Sequence, residues 1–368
     1  MTITESNIVL NRTGERVISA DSHVSISQDQ VKANLDPKFH ADYDNAQQAF
    51  AARVAANMSS AKVNADAMKR NPHAAFSRPG YHTASDRLAD MDADGVDIEV
   101  IYSEVSAFRY IGDMKRGAAE ATRAFNDVLT QFASADPRRL VVSYQIPIHD
   151  IDAAVAEVQR VAAMGAKSLQ IPVFPTELGQ PDYFDERYAP LWSAVQETGL
   201  PMCCHIGINT NLDELTRRDP TPQKGIMVTM TALSTAEALG MWILPGTLEK
   251  FPDLKLVFVE PGIGWIAYYL DLIDDMVVRQ GYAYENLTEL PSFYFRRNMW
   301  TTFIDEPRSI EALRYDVGVD NIMWSTDFPH PVTSWPDSQD LIERAFAHIP
   351  QDEKRKIVCD NAVKVWNL

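Results

Sequence analysis

The sequence predicts a closed barrel of eight parallel strands, a distorted (β/α)8 architecture with helical insertions after the first and fifth strands. Three observations predict it. From Asp86 onward, short runs rich in β-branched residues alternate with segments of helical periodicity, as a parallel α/β fold does in sequence. The strand-like runs number eight: Val17 to Ala20, Val96 to Tyr102, Leu140 to Gln145, Lys167 to Ile171, Met202 to His205, Leu256 to Glu260, Met299 to Phe303 and Ile322 to Ser325. Asp, His and Glu stand at the C-terminal ends of four of them, the end at which such barrels keep their active sites. A doubly wound open sheet with added strands is the competing architecture.

Between the strands, helical patterns cover Ser85 to Asp94, Ala118 to Ser134, Ile151 to Met164, Asp185 to Glu197, Trp265 to Arg279, Glu306 to Tyr315 and Ser338 to Ala347. Two segments interrupt the alternation, and each follows a strand that ends in His. Ser25 to Ala84 is helical in its middle, Ala41 to Met68, and closes with the turn-like Ser77-Arg78-Pro79-Gly80. Asn209 to Met227 reads as a polar loop carrying Pro220 and Pro222. In a single barrel over residues 1–368, both insertions would roof the active site and shape substrate choice.

With 34 Lys and Arg against 51 Asp and Glu, the 368-residue chain has a net charge of -17, which repels nucleic-acid phosphates and anionic lipid. The expected partner is a small-molecule substrate; a monomer and a homodimer both stay open. Met1 to Val17 lacks the basic start and apolar core of a secretory signal. No membrane-spanning run is expected, since the most apolar stretch, Leu254 to Leu270, is broken by Lys255 and Glu260. Cys203, Cys204 and Cys359 are odd in number and include neighbours that point apart on a strand, so a reducing, cytoplasmic setting is expected. Without a C-x-x-C pair, a thiolate zinc site has no support.

Asp21 and His23 lie two apart at the end of an apolar run, so on an extended strand both face the same way and reach one ion. A lone D-x-H is common in surface loops; its position at a strand end gives it weight. His205 closes the run Leu200 to His205, where a core histidine bonded to backbone is the ordinary alternative. Glu260 ends Lys255 to Glu260, and a carboxylate on a buried strand tip must be paired, liganded or protonated. A salt bridge to a neighbouring Arg, or a cap on the helix that follows, would also satisfy it. Asp327 ends Ile322 to Asp327, and His330 follows three residues on; capping or turn formation is their ordinary use. Together these residues form a donor set of nitrogen and oxygen without thiolate, suited to one Zn²⁺, Mn²⁺ or Fe²⁺ ion and leaving room for a second. Trp265, Trp300, Trp324, Phe328 and Trp335 near strand ends fit a pocket for an aromatic or apolar body, although such aromatics commonly just fill a core.

The pattern resembles the amidohydrolase superfamily, in the branch that contains aminocarboxymuconate semialdehyde decarboxylase. The marks are Val17-Ile18-Ser19-Ala20-Asp21-Ser22-His23, Arg87-Leu88-Ala89-Asp90-Met91-Asp92-Ala93-Asp94-Gly95-Val96 and His205. Gly262-Ile263-Gly264-Trp265, Ser325-Thr326-Asp327-Phe328-Pro329-His330 and Asp360-Asn361-Ala362 complete them. The resemblance implies a divalent ion held by Asp21, His23, His205 and Asp327. Many members carry His at the end of the sixth strand, where this chain has Glu260. Two chemistries follow. In hydrolysis, an ion-activated water attacks, Asp327 is ligand and base, and Glu260 or His330 serves the leaving group. In non-oxidative decarboxylation, Asp327 protonates carbon and an Arg, with Arg78 and Arg87 the candidates, binds a remote carboxylate. Arg87 also has the dull reading of a solvent-facing helix residue. Glu260 tilts the expectation to hydrolysis, because a second anion beside the ion repels a carboxylate substrate. A non-catalytic, ion-stabilised binding barrel ranks last.

Overall fold

Eight short strands pair in sequence order, each parallel to its predecessor: β1 Ile18–Val24, β2 Ile98–Ser103, β3 Leu140–Gln145, β4 Ser168–Ile171, β5 Met202–His205, β6 Leu256–Val259, β7 Met299–Phe303 and β8 Ile322–Trp324. The structure is a computed structural model that describes residues 15–59, 73–103, 106–207 and 212–368. Every strand residue is buried, because helices cover the outer face and the opposite strands fill the inner one. That double burial is why the strands read as near-continuous apolar runs rather than alternating ones.

The barrel is nearly closed, and the closing bonds come from residues just past β8. Asp327 N donates to Asp21 O (3.0 Å) and His23 N to Phe328 O (2.6 Å). Thr326 N donates to Ser19 Oγ at 2.9 Å. The β1–β2 register shifts between Ser19 and Ser22, a bulge that falls at Ala20 and Asp21.

Most expected helices stand within a residue or two of their sequence positions. Ala118–Ala133 buries Ala121, Phe125, Val128 and Phe132 on one face, which is the spacing that makes it an amphipathic outer helix. Asp150 caps Ile151–Ala163 by accepting from Ala153 N at 3.0 Å. Helix Ala84–Asp94 ends on Gly95 at φ 73, the left-handed stop that a glycine takes without steric cost. Asp94 then accepts from Ser338 N (2.9 Å), tying this helix to the start of Ser338–Ala345.

Both insertions depart from expectation. In the first, the helix runs His40–Met58, and the rest of the expected span to Met68 lies outside the described residues or past the helix end. The second is helical, in keeping with the expected fold, but within a stretch, Asn209 to Met227, that the sequence reads as a polar loop. Asn209 lies outside the described residues, but Asp213–Arg218 and Gly225–Ile243 are helices. Pro220 and Pro222 sit between the two and start the second rather than abolish it. Pro222–Ile243 is also long and apolar enough to cross a membrane by length and composition, which corrects the expectation of no such run. Its Thr229 and Thr231 hydroxyls bond back to carbonyls of the same helix, so polar residues scattered along it hide its apolar character. Ala238, Leu239, Trp242 and Ile243 bury its C-terminal half in the core. The two insertions meet where Asn57 donates to Asp213 at 3.0 Å. The three cysteines are free and buried.

Asn361 locks the C-terminus to the barrel, donating from Nδ2 to Val319 O and Ile322 O, both at 2.8 Å, at the start of β8. Asn361→Ala leaves buried carbonyls without donors and should cost about 2–4 kcal/mol of unfolding free energy. Denaturant titration checks this; a loss under about 0.5 kcal/mol would show that the clamp is not needed.

Candidate metal centre and adjoining cavity

Asp21 and His23 reach the C-terminal mouth from β1, His205 from the last position of β5, Glu260 from the residue after β6, and Asp327 and His330 from the turn after β8. Glu260 and Asp327 both take positive φ, 65° and 51°, a left-handed turn in non-glycine residues directly beyond their strands. His205 Nε2 is 3.2 Å from Asp21 Oδ1, and His23 Nε2 is 3.2 Å from Asp327 Oδ1 and 3.6 Å from Asp21 Oδ1. His330 Nδ1 is 2.9 Å from Asp327 Oδ1, and its ring stacks on His23 with centroids 3.9 Å apart. One oxygen each of Asp21, Asp327 and Glu260 lies within 4.8 Å of the other two.

Three carboxylates this close in a buried place require a countercharge or protons. Burial raises Asp327, but His330 and His23 outweigh it and hold the carboxyl below its ordinary range. Burial lowers His23, with His330 adding to the effect. For His205 burial opposes protonation, yet Asp21 lifts it to about 9. Glu260 is pushed well above the carboxylate range, first by burial and then by Asp327.

A divalent cation fits this donor set. Asp21 Oδ2, Asp327 Oδ2 and both ring nitrogens of His23 are buried without a hydrogen-bond partner, each such orphan ordinarily costing about 1–3 kcal/mol. The His23 to Asp327 contact is close without hydrogen-bond geometry, as expected of two ligands that face a third party. His205 Nδ1 bonds Ile206 O at 2.6 Å, leaving Nε2 for the centre, the usual second contact of a metal-binding histidine.

The ordinary alternatives for Glu260 do not hold. Glu306 caps the helix Gly264–Arg279, accepting from Ile263 N (3.0 Å) and Gly264 N (3.1 Å). The charged groups that act on Glu260 are Asp327, His205, Asp21 and His330, with no arginine among them. Glu260 also borders an open groove of about 340 Å³ lined by Pro261, Phe303, Asp305, Glu306 and Val332.

The four expected substrate contacts separate. Arg87 is fully buried rather than solvent-facing, pairing with Glu99 at 2.5 Å and lying 4.3 Å over the Phe328 ring. Its place beneath Phe328 makes it a support for the turn that carries Asp327. Arg78 lies 3.7 Å over Trp335, whose ring neighbours Phe328 at 5.8 Å, and its Nε is buried without a partner. Trp265 is a packing residue: its indole donates to Pro261 O at 2.8 Å and its ring meets Tyr269. From the first insertion, Phe76 reaches His330 at 5.5 Å.

On the other side of His205 is a small cavity of about 30 Å³ that the sequence reading missed. Phe108, Ile171, Val173, Phe174 and Leu178 supply apolar wall, while Gln170 and the Arg109–Glu177 ion pair (2.5 Å) supply polarity. The missed signal was of the same kind as the one used: Ser103 and Gln145 are polar residues at the ends of β2 and β3, and Gln170 stands one residue from the end of β4. Searching strand ends for ionisable residues alone passed over them.

A family model described as "Amidohydrolase" matches residues 36–368. Gamma-resorcylate decarboxylase of a Rhizobium species is 26% identical over 294 residues, covering 74% of this chain and 85% of that protein. The 2-amino-3-carboxymuconate-6-semialdehyde decarboxylase of Dictyostelium discoideum is 22% identical over 293 residues, 77% of this chain and 76% of that one. Among solved structures, a dihydroxybenzoic acid decarboxylase from a Polaromonas species, with bound manganese and the inhibitor 2-nitroresorcinol, superposes with a TM-score of 0.71 at 18% identity. That match covers 96% of this chain and 97% of the other.

Purified protein should carry close to one divalent ion per chain, and His205→Ala should lose most of it. Elemental analysis checks both, and undiminished metal in the variant would remove His205 from the centre.

Proposed function

The chain belongs to the amidohydrolase family, on the branch that includes aminocarboxymuconate semialdehyde decarboxylase, and from that premise we propose that it is a divalent-cation-dependent carboxy-lyase acting on a small aromatic or unsaturated carboxylic acid. The observation that carries the reading is the likeness to decarboxylases along about three quarters of the chain, with the carboxylate and imidazole cluster lying in that span. This reverses the tilt to hydrolysis that Glu260 gave. One departing residue weighs less than the curated relatives named above, each a decarboxylase.

Asp21, His23, His205 and Asp327 would hold the ion, and the manganese in the Polaromonas structure favours Mn²⁺ among the three candidates. When bound, the ion anchors substrate oxygens and neutralises their charge. The residues of the chain then have a proton to deliver. Decarboxylation without an oxidant puts a proton on the ring carbon that bears the carboxylate; the bond to the carboxyl carbon breaks, its electrons return to the ring, and CO₂ leaves. Asp327 is the donor, and His330, 2.9 Å away and partly exposed, resupplies it from solvent. Arg87 and Phe328 hold the turn, and Arg78 is the candidate for an incoming carboxylate. Helices of the two insertions would form the roof. Hydrolysis is the second reading, favoured by Glu260 at the border of the open groove.

Mn²⁺-loaded protein should release CO₂ from at least one member of a panel of hydroxybenzoic acids and, in D₂O, place deuterium at the vacated carbon. Cleavage of aryl esters or lactones with no CO₂ from any acid would overturn the reading. Glu260→Gln discriminates again: as a neighbour of the decarboxylation centre it should keep metal and most turnover, whereas a water-activating Glu260 predicts a loss of about 10²-fold or more.

A further inference from the structure

Gln170 is fully buried on β4, lines the cavity beside His205, and its Nε2 has no hydrogen-bond partner. A buried amide N–H without an acceptor is costly, and here it borders a small cavity with room for a water-sized polar group. Its other end is fixed. Gln170 Oε1 accepts from Ser103 Oγ at 3.3 Å, and Ser103 Oγ accepts from Gln145 Nε2 at 2.6 Å. Asn126 clamps the Gln145 backbone on both sides, accepting from its N (2.9 Å) and donating to its O (2.8 Å). A chain of side chains across the ends of β2, β3 and β4 thus aims one amide N–H at the cavity.

The other polar groups of the cavity are engaged. Thr231, Ser234 and Thr235 each donate to a carbonyl of their own helix. Arg109 and Glu177 cancel each other's charge at 2.5 Å.

We propose that this cavity is the subsite for the part of the substrate remote from the reacting carboxylate, and that Gln170 is its specificity-determining donor. The matching ligand group is an uncharged oxygen acceptor on an aromatic ring: a hydroxyl, ether or carbonyl. A second carboxylate is disfavoured, because Glu177 answers Arg109 and Asp21 answers His205, the two basic side chains that line the cavity among the described residues. The inference rests on the carboxylic-acid reading of the ion site.

Calorimetric binding to Mn²⁺-loaded protein tests it without turnover, with benzoate, 3-methoxybenzoate, 3-hydroxybenzoate and isophthalate as probes. Wild type should bind 3-methoxybenzoate about tenfold tighter than benzoate, the gain of one hydrogen bond. Gln170→Leu should erase that gap and leave benzoate within about twofold. Gln170→Met, which keeps the length and removes the donor, should do the same, and benzoate affinity reports folding in both. Isophthalate should bind more weakly than 3-methoxybenzoate, and Glu177→Gln, by releasing Arg109, should reverse that order. If 3-hydroxybenzoate gains and 3-methoxybenzoate does not, Gln170 is no donor to the ligand and the proposal falls. It also falls if either Gln170 variant keeps the gap. Failure of every probe to bind wild type would overturn the aromatic-acid reading as well, whereas benzoate binding with an unchanged gap overturns the subsite alone.

Discussion

The hydrogen bonds that close the barrel are also the ones that set the spacing of the ion site. Asp327 N reaches Asp21 O and His23 N reaches Phe328 O across the seam between the first and last strands. The ligand-bearing ends therefore cannot separate without opening the barrel. Ser19 and Thr326 add side-chain bonds just below. Carboxylates that would otherwise repel each other are held together by backbone bonds whose strength does not depend on their charge, and a bound cation would return the cost of that proximity. Site and fold thus share a single fastening.

Much of this was legible in the sequence, for physical reasons. Strands buried on both faces leave long apolar runs, so all eight strands were located to within a few residues. Each ionisable side chain at the end of such a run has an ordinary use by itself, but several at the same end of one barrel point to a site, and Asp21, His23, His205, Glu260, Asp327 and His330 do converge. What escaped was information held by three-dimensional neighbours. Arg87 looks like any exposed helix arginine until Glu99 and Phe328 are seen around it. The role of capping Gly264–Arg279 belongs to Glu306, which lies some forty residues from the helix it serves. Helix Gly225–Ile243 was obscured by two prolines and by hydroxyls that bond to their own backbone.

The uncharged polar residues teach a complementary lesson. Gln145, Ser103 and Gln170 raise no flag by charge or motif, yet Gln145 and Ser103 end their strands and Gln170 stands one residue from the end of its own. In a barrel interior an amide is as conspicuous as a carboxylate once its hydrogen bonds are counted. The centre has two different surroundings in consequence: a walled cavity on the His205 side and an acidic, open groove on the Glu260 side.

Glu260 and Asp327 both hold left-handed backbone conformations that side chains other than glycine adopt at a cost of about 1–2 kcal/mol. Neither residue would be kept there by the needs of the scaffold. Under selection for heat resistance alone, with no demand on chemistry, these two positions should be among the first to drift to glycine or asparagine, and the barrel should gain from it. Lineages that retain an acid at both places would then be recording a continuing use for the site, written in the backbone angles of two residues.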